Sequence, residues 1–219
     1  MNTMLIRPIL PTLPILPPKI SAETAMLIFN VMSFLMLAGI TAFLLSLYAA
    51  KRWKGDKTKT ALAFVLITVS VTFLLLCFFG FAMSTVKGIL LCLILLFSSY
   101  SDIRIREAND YIHIMIALTA FIGREPSDIP AMLLSSILII LPMLIPVIIC
   151  KGKAIGGADV KLSAACTFLL GISRGIVGLM AGLTIVVLAN LIIQTRKNQA
   201  EGFPLIPYLA VGFMAAYFI

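Results

Sequence analysis

The chain has 219 residues, of which 61% are hydrophobic and 12% are charged. Soluble globular proteins are about 45–50% apolar and about 25% charged, so a soluble fold could not bury this much apolar surface. Disorder is also excluded, because disordered chains combine low hydrophobicity with high net charge. The composition predicts an integral membrane protein built from helices. The formal net charge of +8 then indicates basic loops and contact with anionic lipid rather than nucleic acid.

Residues 1–23 are predicted to form a proline-rich tail. Its prolines recur mostly at every third position, at Pro8, Pro11, Pro14, Pro17 and Pro18. This spacing breaks helices and favours an extended polyproline segment. We expect the tail to lie on the membrane surface or against a neighbouring protein.

Eight apolar segments follow the tail and predict about eight transmembrane helices in an all-α bundle. They lie at 24–50, 61–83, 86–101, 111–123, 129–149, 160–172, 175–194 and 203–219. A full span needs about 20 residues, so the third, fourth and sixth segments are short, and each adjoins a charged stretch that contains an aspartate. We divide the chain into two N-terminal helices with a basic loop at 51–60, within 24–85, and a six-helix core at 86–219.

The distribution of lysine and arginine predicts the orientation in the membrane. With eight spans, twelve of the 17 basic residues fall in or beside the loops that follow spans one, three, five and seven. The other five fall on the opposite side. Because loops rich in lysine and arginine stay in the cytoplasm, the first set predicts the cytoplasmic face. Both chain termini are then expected outside.

Two of the nine acidic residues lie at predicted helix ends, at membrane depth. Asp102 closes the third span and Asp159 opens the sixth, and the predicted topology puts both on the cytoplasmic side. An ionisable group at this depth is costly and is a candidate functional residue. Two carboxyls that share a site hold one proton between them near neutral pH. The charged carboxyl can then activate a water, while the protonated one donates to a peptide carbonyl.

The helix ends suggest how the two carboxyls divide these roles. Asp159 lies at a helix N-terminus, where negative charge is favoured, and Asp102 lies at a C-terminus, where it is disfavoured. We therefore expect Asp159 to be ionised and Asp102 to carry the shared proton. Gly156 and Gly157 precede Asp159 and would let the backbone approach the site closely. A plain helix-entry turn explains the same glycines.

Three stretches of sequence resemble a known family. They read Ser-Asp-Ile-Arg at 101–104, Gly-Gly-Ala-Asp-Val-Lys-Leu at 156–162 and Phe-Pro-Leu-Ile-Pro-Tyr-Leu-Ala at 203–210. In order and spacing they resemble the two-aspartate pattern and the last-helix motif of the prepilin peptidases. These are the type IV prepilin and preflagellin peptidases, aspartic intramembrane proteases of the GxGD type. The resemblance covers about residues 86–219.

The resemblance implies a specific activity. Such enzymes remove the short leader, or class III signal peptide, of prepilin-like proteins at the cytoplasmic face of the prokaryotic plasma membrane. The cut falls just before the substrate's hydrophobic helix. Asp102 and Asp159 fall on the family's catalytic pair. The implied partners are prepilin-like substrates, membrane lipid and the machinery that assembles pili or secretion systems.

Departures from the family pattern narrow these expectations. Ala158 stands where the wider GxGD group has glycine, and the loop after Asp102 lacks a frequent proline-asparagine pair. Larger members carry a cysteine-tetrad zinc domain after their first helix and methylate the new N-terminus, whereas this chain has only the loop 51–60 there. Its four cysteines and single histidine show no zinc-ligand spacing. We expect a peptidase without methyltransferase activity, metal or cofactor.

Further residues are expected to support the carboxyl pair. Lys161 would tune Asp159 electrostatically, or else reach interfacial lipid. Glu107 and Asp110 would attract a basic leader, and Pro207 belongs to the last-helix motif.

Three other interpretations compete with a prepilin peptidase. A presenilin-type protease would carry a Tyr-Asp motif, but Ser101 separates Tyr100 from Asp102. A proton-coupled transporter could use the two aspartates as a relay, although transporters often contain helix repeats and none is visible here. A non-catalytic pilus or secretion assembly protein could share the same fold.

Overall fold

The computed structural model describes residues 22–106, 109–149, 156–194 and 204–219. All regular structure in these residues is helical, and the predicted all-α class is confirmed. The α-helices in chain order are α1 (Ala22–Arg52), α2 (Lys57–Phe79), α3 (Met83–Ile105), α4 (Asp110–Ala120), α5 (Ile129–Ile149), α6 (Gly157–Leu170), α7 (Ile172–Gln194) and α8 (Ile206–Tyr217), with a 3₁₀ turn at Pro126–Asp128. The prediction for the proline-rich tail lies outside the described residues except for its last two positions.

Each predicted apolar segment contains a helix, but eight full spans are not confirmed. In the described part of the chain, α1, α2, α3, α5 and α7 are long and apolar enough to cross a membrane. The helices α4, α6 and α8 have 11, 14 and 12 residues. At 1.5 Å per residue they cover at most about 21 Å of a hydrocarbon core of roughly 30 Å. The third segment was predicted to be short, but its helix α3 is longer than predicted and has 23 residues.

Local signals fix where α2 begins and where α3 ends. Asp56 is the N-cap of α2, and its Oδ1 accepts hydrogen bonds from the backbone N–H groups of Thr58 at 3.1 Å and Lys59 at 3.4 Å. At the C-terminal end of α3, Arg106 adopts a left-handed conformation and its N–H donates to the Asp102 carbonyl at 3.0 Å. The helix therefore stops three residues after Asp102, which places that side chain in the last turn.

The helix α3 lies at the centre of the bundle and is the most buried of the five long helices. It packs against α1, α2, α4 and α8, while α6 packs against α4, α5, α7 and α8. No α-carbon of α3 comes within 8 Å of one in α6. The two helices that carry the aspartates are thus held apart, and α4 and α8 bridge them.

An aromatic cluster joins the basic loop 51–60 to the end of α3 that carries Asp102. The Trp53 ring lies 5.1 Å from Phe97 and 5.8 Å from Tyr100, measured between centroids. The Thr60 hydroxyl donates to the Tyr100 hydroxyl oxygen at 3.2 Å. The loop and Asp102 therefore share one end of the bundle, as the charge distribution predicts.

The closest helix contact joins α7 to α8 through glycines. A β-carbon at Gly212 would overlap the carbonyl oxygen of Gly178 and the backbone nitrogen of Gly182. The pair Gly178 and Gly182 forms the small-xxx-small pattern by which membrane helices approach closely. This contact fixes the position of α8.

We expect Gly212→Ala to lower the free energy of unfolding by about 1–3 kcal/mol, because the added methyl meets backbone that has no room to move. Ala215→Val is the matched control, since Ala215 lies one turn away on the exposed face of α8. Thermal unfolding of the purified protein in mild detergent measures both. Equal stability of the two variants would contradict the close packing.

Candidate active site

Asp102 is buried at the end of α3 and bonds to the first turn of α8. The residue is 8% exposed, and its Oδ2 accepts a hydrogen bond from the backbone N–H of Ile206 at 3.1 Å. The first N–H groups of any helix lack partners within the helix, so the Asp102 carboxyl acts as a cap for α8. Pro207 follows directly and lies in the first turn of α8.

Asp159 is buried to the same extent, at 8% exposed, and caps its own helix. It is the third residue of α6, and its Oδ2 accepts a hydrogen bond from the backbone N–H of Gly156 at 3.1 Å. This contact is half of a capping box, in which an acidic side chain reaches back to the residue before the helix. The helix end thus fixes the rotamer and depth of the carboxyl.

The two carboxyls lie at the same end of the bundle and within electrostatic reach of each other. The negative charge of Asp102 acts on Asp159, although their helices do not touch. The Arg106 guanidinium is near enough for its positive charge to act on Asp102. Two buried carboxyls of this kind can hold one proton and activate a water between them.

The structure changes the expected division of roles between the carboxyls. Asp159 does lie at a helix N-terminus, but Asp102 faces one too, because α8 begins beside it. The Ile206 N–H and the Arg106 guanidinium both stabilise negative charge on Asp102. Helix ends therefore do not distinguish the two carboxyls, and the assignment of the proton to Asp102 stays a prediction.

The two glycines before Asp159 have different surroundings. A β-carbon at Gly156 would lie 3.2 Å from Asp159 Oδ2, whereas one at Gly157 would meet no atom of the described residues within 4 Å. Gly156 therefore provides the space that the carboxyl occupies when it caps α6. Gly157 begins the helix and has no such steric role.

Lys161 and Asp110 bind each other at the edge of the site. Lys161 Nζ donates to Asp110 Oδ1 at 2.7 Å, which links α6 to α4. Both side chains are exposed, and this hydrogen bond holds the pKa of the Asp110 carboxyl below its usual value. The ammonium of Lys161 is thus committed to Asp110. The expected role of Glu107 lies outside the described residues.

The structure adds one contributor to the site and one buried neighbour of the site that the sequence motifs do not include. The first is the Ile206 N–H, a backbone donor that no side-chain motif reveals, although Pro207 marks a helix start there. The second is His113, which is 8% exposed and whose ring lies against the backbone of Ala158. Its spacing three residues after Asp110, on the face of α4 that meets α6, is a signal that helical periodicity could have supplied.

The arrangement suits acid–base hydrolysis by carboxyls. Among the described residues, no group of three or more His, Cys, Asp or Glu side chains could hold a metal ion. The described chain is thus an all-helical membrane protein with a buried carboxyl pair at one end of its bundle. These features define the class as a helical membrane protein with a buried acidic site.

Comparison with known families agrees with this class. Residues 89–195, about half of the chain, match the type IV leader peptidase family. The matched segment contains Asp102, Asp159 and both glycines, and it ends before α8. This match confirms the resemblance of the chain to the prepilin peptidases. Searches of curated proteins and of solved structures found no match.

We expect Gly156→Ala to lower peptidase activity by about 10–100-fold, because the new methyl would displace the Asp159 carboxyl from its place at the helix end. Gly157→Ala, one residue away in open space, is the matched control and should stay within about threefold of wild type. Initial rates of leader removal measure both variants. Equal losses in the two would show that the turn, and not the space beside Asp159, matters.

Proposed function

We propose that this protein is a membrane-embedded aspartic endopeptidase that removes the short leader of prepilin-like substrates at the cytoplasmic face of the prokaryotic plasma membrane. Asp102 and Asp159 form its catalytic pair. The observation that carries the proposal is the pair itself: two equally buried carboxyls, each capping a helix, within the segment that matches the leader peptidase family. Neither methyltransferase activity nor a metal is part of the proposal.

The pair supplies the groups that peptide hydrolysis needs. The ionised carboxyl takes a proton from a water, which attacks the carbonyl carbon of the scissile bond. The protonated carboxyl donates to the carbonyl oxygen and stabilises the tetrahedral intermediate. The carboxyl that took the water proton then passes it to the leaving amine, and the C–N bond breaks. The other carboxyl takes back a proton from a hydroxyl of the intermediate, which returns the pair to its singly protonated state. The helix ends hold both carboxyls in place throughout, because each is tied to a backbone N–H.

The depth of the site supports a substrate cut beside an apolar helix. The carboxyls lie where α3 ends and α6 begins, at the border between apolar helices and charged loops. A substrate cleaved just before its hydrophobic helix presents its scissile bond at the same border. Glu107 and Asp110 are proposed to attract the basic leader, which would compete with Lys161 for the exposed Asp110 carboxyl at this end.

We expect Asp102→Asn and Asp159→Asn each to reduce leader removal by about 10²–10⁴-fold or more, because the amide can neither accept the water proton nor donate one. Asn keeps an oxygen for the capping bond, so these variants should remain folded. Asp102→Ala should also lose about 0.5–2 kcal/mol of stability, since α8 loses its cap. Purified variants mixed with a tagged prepilin-like protein from the same genome, scored by the mobility shift, measure the activity.

Asp56→Asn is the matched control, because Asp56 caps α2 at the same end and Asn caps equally well. It should process the substrate at the wild-type rate. Processing that survives either Asn change in the pair would refute the catalytic roles. Proton-linked solute flux that both Asn variants abolish, with no leader removal by the wild type, would identify a transporter. Folded wild-type protein that neither cleaves nor transports would favour an assembly protein.

The proposed orientation is tested by cysteine labelling of the full-length protein in intact cells. Lys59→Cys lies in the basic loop, and Ser127→Cys lies at the opposite end of the bundle. A membrane-impermeant maleimide should label the variant at 127 directly and the variant at 59 only after the membrane is opened, because basic loops remain in the cytoplasm. The parent protein gives the background from its own cysteines. The reverse pattern would place the carboxyl pair outside.

A further inference from the structure

A polar cavity lies at the end of the bundle opposite the carboxyl pair. It has a volume of about 420 Å³ and forms where α3 and α7 begin and where α4, α6 and α8 end. Its lining includes Lys87, Arg124, Arg174, Glu125 and Asp128. Neither the family match nor the proposed peptidase reaction assigns any role to this cavity.

All the basic residues that the described chain carries at this end line the same cavity. They are Lys87, Arg124 and Arg174. Arg124 is paired with Asp128, at 3.5 Å between Nη1 and Oδ2. Within the described residues, Lys87 and Arg174 have no carboxylate within salt-bridge distance. The cavity lining therefore carries three positive charges against two negative ones, and neither Lys87 nor Arg174 is neutralised by an ion pair.

One of these unpaired positive charges, the Lys87 ammonium, is buried. The residue is 8% exposed, and its Nζ makes one long hydrogen bond, 3.4 Å to the Ala120 carbonyl oxygen. Among the charges that act on it, that of Arg124 is stronger than that of Asp128. An ammonium buried near another cation is costly unless an anion neutralises it. Two donor positions of this ammonium remain for a ligand in the cavity.

The surroundings of the cavity favour a phosphate group carried by a lipid. The N-termini of α3 and α7 lie at its rim and add partial positive charge. Apolar side chains complete the wall, among them Phe79, Met83 and Ile122. Met83, the first residue of α3, is also 66% exposed, so its side chain is open to a lipid beside the cavity. Basic pockets between membrane helices bind anionic headgroups in this way.

We propose that this cavity binds the phosphate of an anionic phospholipid, with Lys87 and Arg174 as its charged ligands. The bound phosphate lies between the start of α3 and the start of α7 and neutralises the buried ammonium. A lipid headgroup and free phosphate share the same oxyanion group. The apolar wall of the cavity favours the lipid, because it can also contact the acyl chains. The site is independent of the peptidase reaction.

The test uses the purified full-length protein in mild detergent. Its Tm is measured with phosphatidylglycerol, with phosphatidylcholine of the same acyl chains, and with inorganic phosphate. Phosphatidylglycerol should raise the Tm beyond phosphatidylcholine, and inorganic phosphate should not reproduce that increment. Lys87→Met should weaken the phosphatidylglycerol effect by about fivefold or more in apparent affinity. The matched control Lys59→Met removes an exposed lysine at the other end and should keep the full effect.

Lys87→Met removes an unpaired buried charge, so the lipid-free variant should be at least as stable as wild type. Arg174→Gln, at an exposed position, gives a second test that does not depend on the folding of the Lys87→Met variant. It should also reduce the rise in Tm that phosphatidylglycerol produces. Equal Tm values in the two lipids would overturn the proposal. A phosphatidylglycerol increment that survives both changes would overturn it too. An increment reproduced by inorganic phosphate would show a free-anion site and refute the lipid.

Discussion

The structure depends on one constraint: a carboxyl buried in an apolar bundle needs hydrogen-bond donors. Burying a charged or polar group without partners costs several kcal/mol, and few donors are free inside a helical membrane protein because helix backbones satisfy themselves. Helix N-termini are the exception, since their first N–H groups have no partner within the helix. Asp159 uses the start of α6 and Asp102 uses the start of α8.

This constraint accounts for several features of the bundle. The short helices α6 and α8 begin at the carboxyls, so their N–H groups are available at that depth. The glycine contact of α8 with α7 holds the Ile206 N–H in position. The contacts of α4 and α8 with both α3 and α6 keep the aspartate helices apart while the charges remain coupled.

Much of the fold could be predicted from the sequence. Hydrophobicity located all eight helices, because apolar runs between charged loops are a strong local signal. Their lengths were less predictable: α8 is shorter than its apolar segment, and α3 continues through Ser98 to Ile105 despite its polar residues. Packing accounts for the greater length of α3, because buried hydroxyls such as that of Ser101 are tolerated inside a helix bundle, and the left-handed Arg106 then ends the helix.

Part of the candidate site could also be predicted from the sequence. Asp102 and Asp159 stand out because charges are scarce in the chain, and the motif order suggested that they meet. The hydrogen bond by which Asp102 caps α8 was not predictable, because it joins residues 102 and 206 through a backbone group. The difference between Gly156 and Gly157 also needs coordinates, since only the position of the Asp159 carboxyl separates the two.

The bond between Asp102 and Ile206 has a consequence for biogenesis. The two residues are 104 positions apart, and a ribosome that adds about 5–20 residues per second needs roughly 5–20 s to cover that distance. During that interval Asp102 is already part of a helix, but its donor has not been synthesised. The nascent chain therefore passes through a state in which the Asp102 carboxyl lacks its backbone hydrogen-bond donor. Insertion of α8 therefore supplies both a contact for α7 and the hydrogen-bond donor for Asp102.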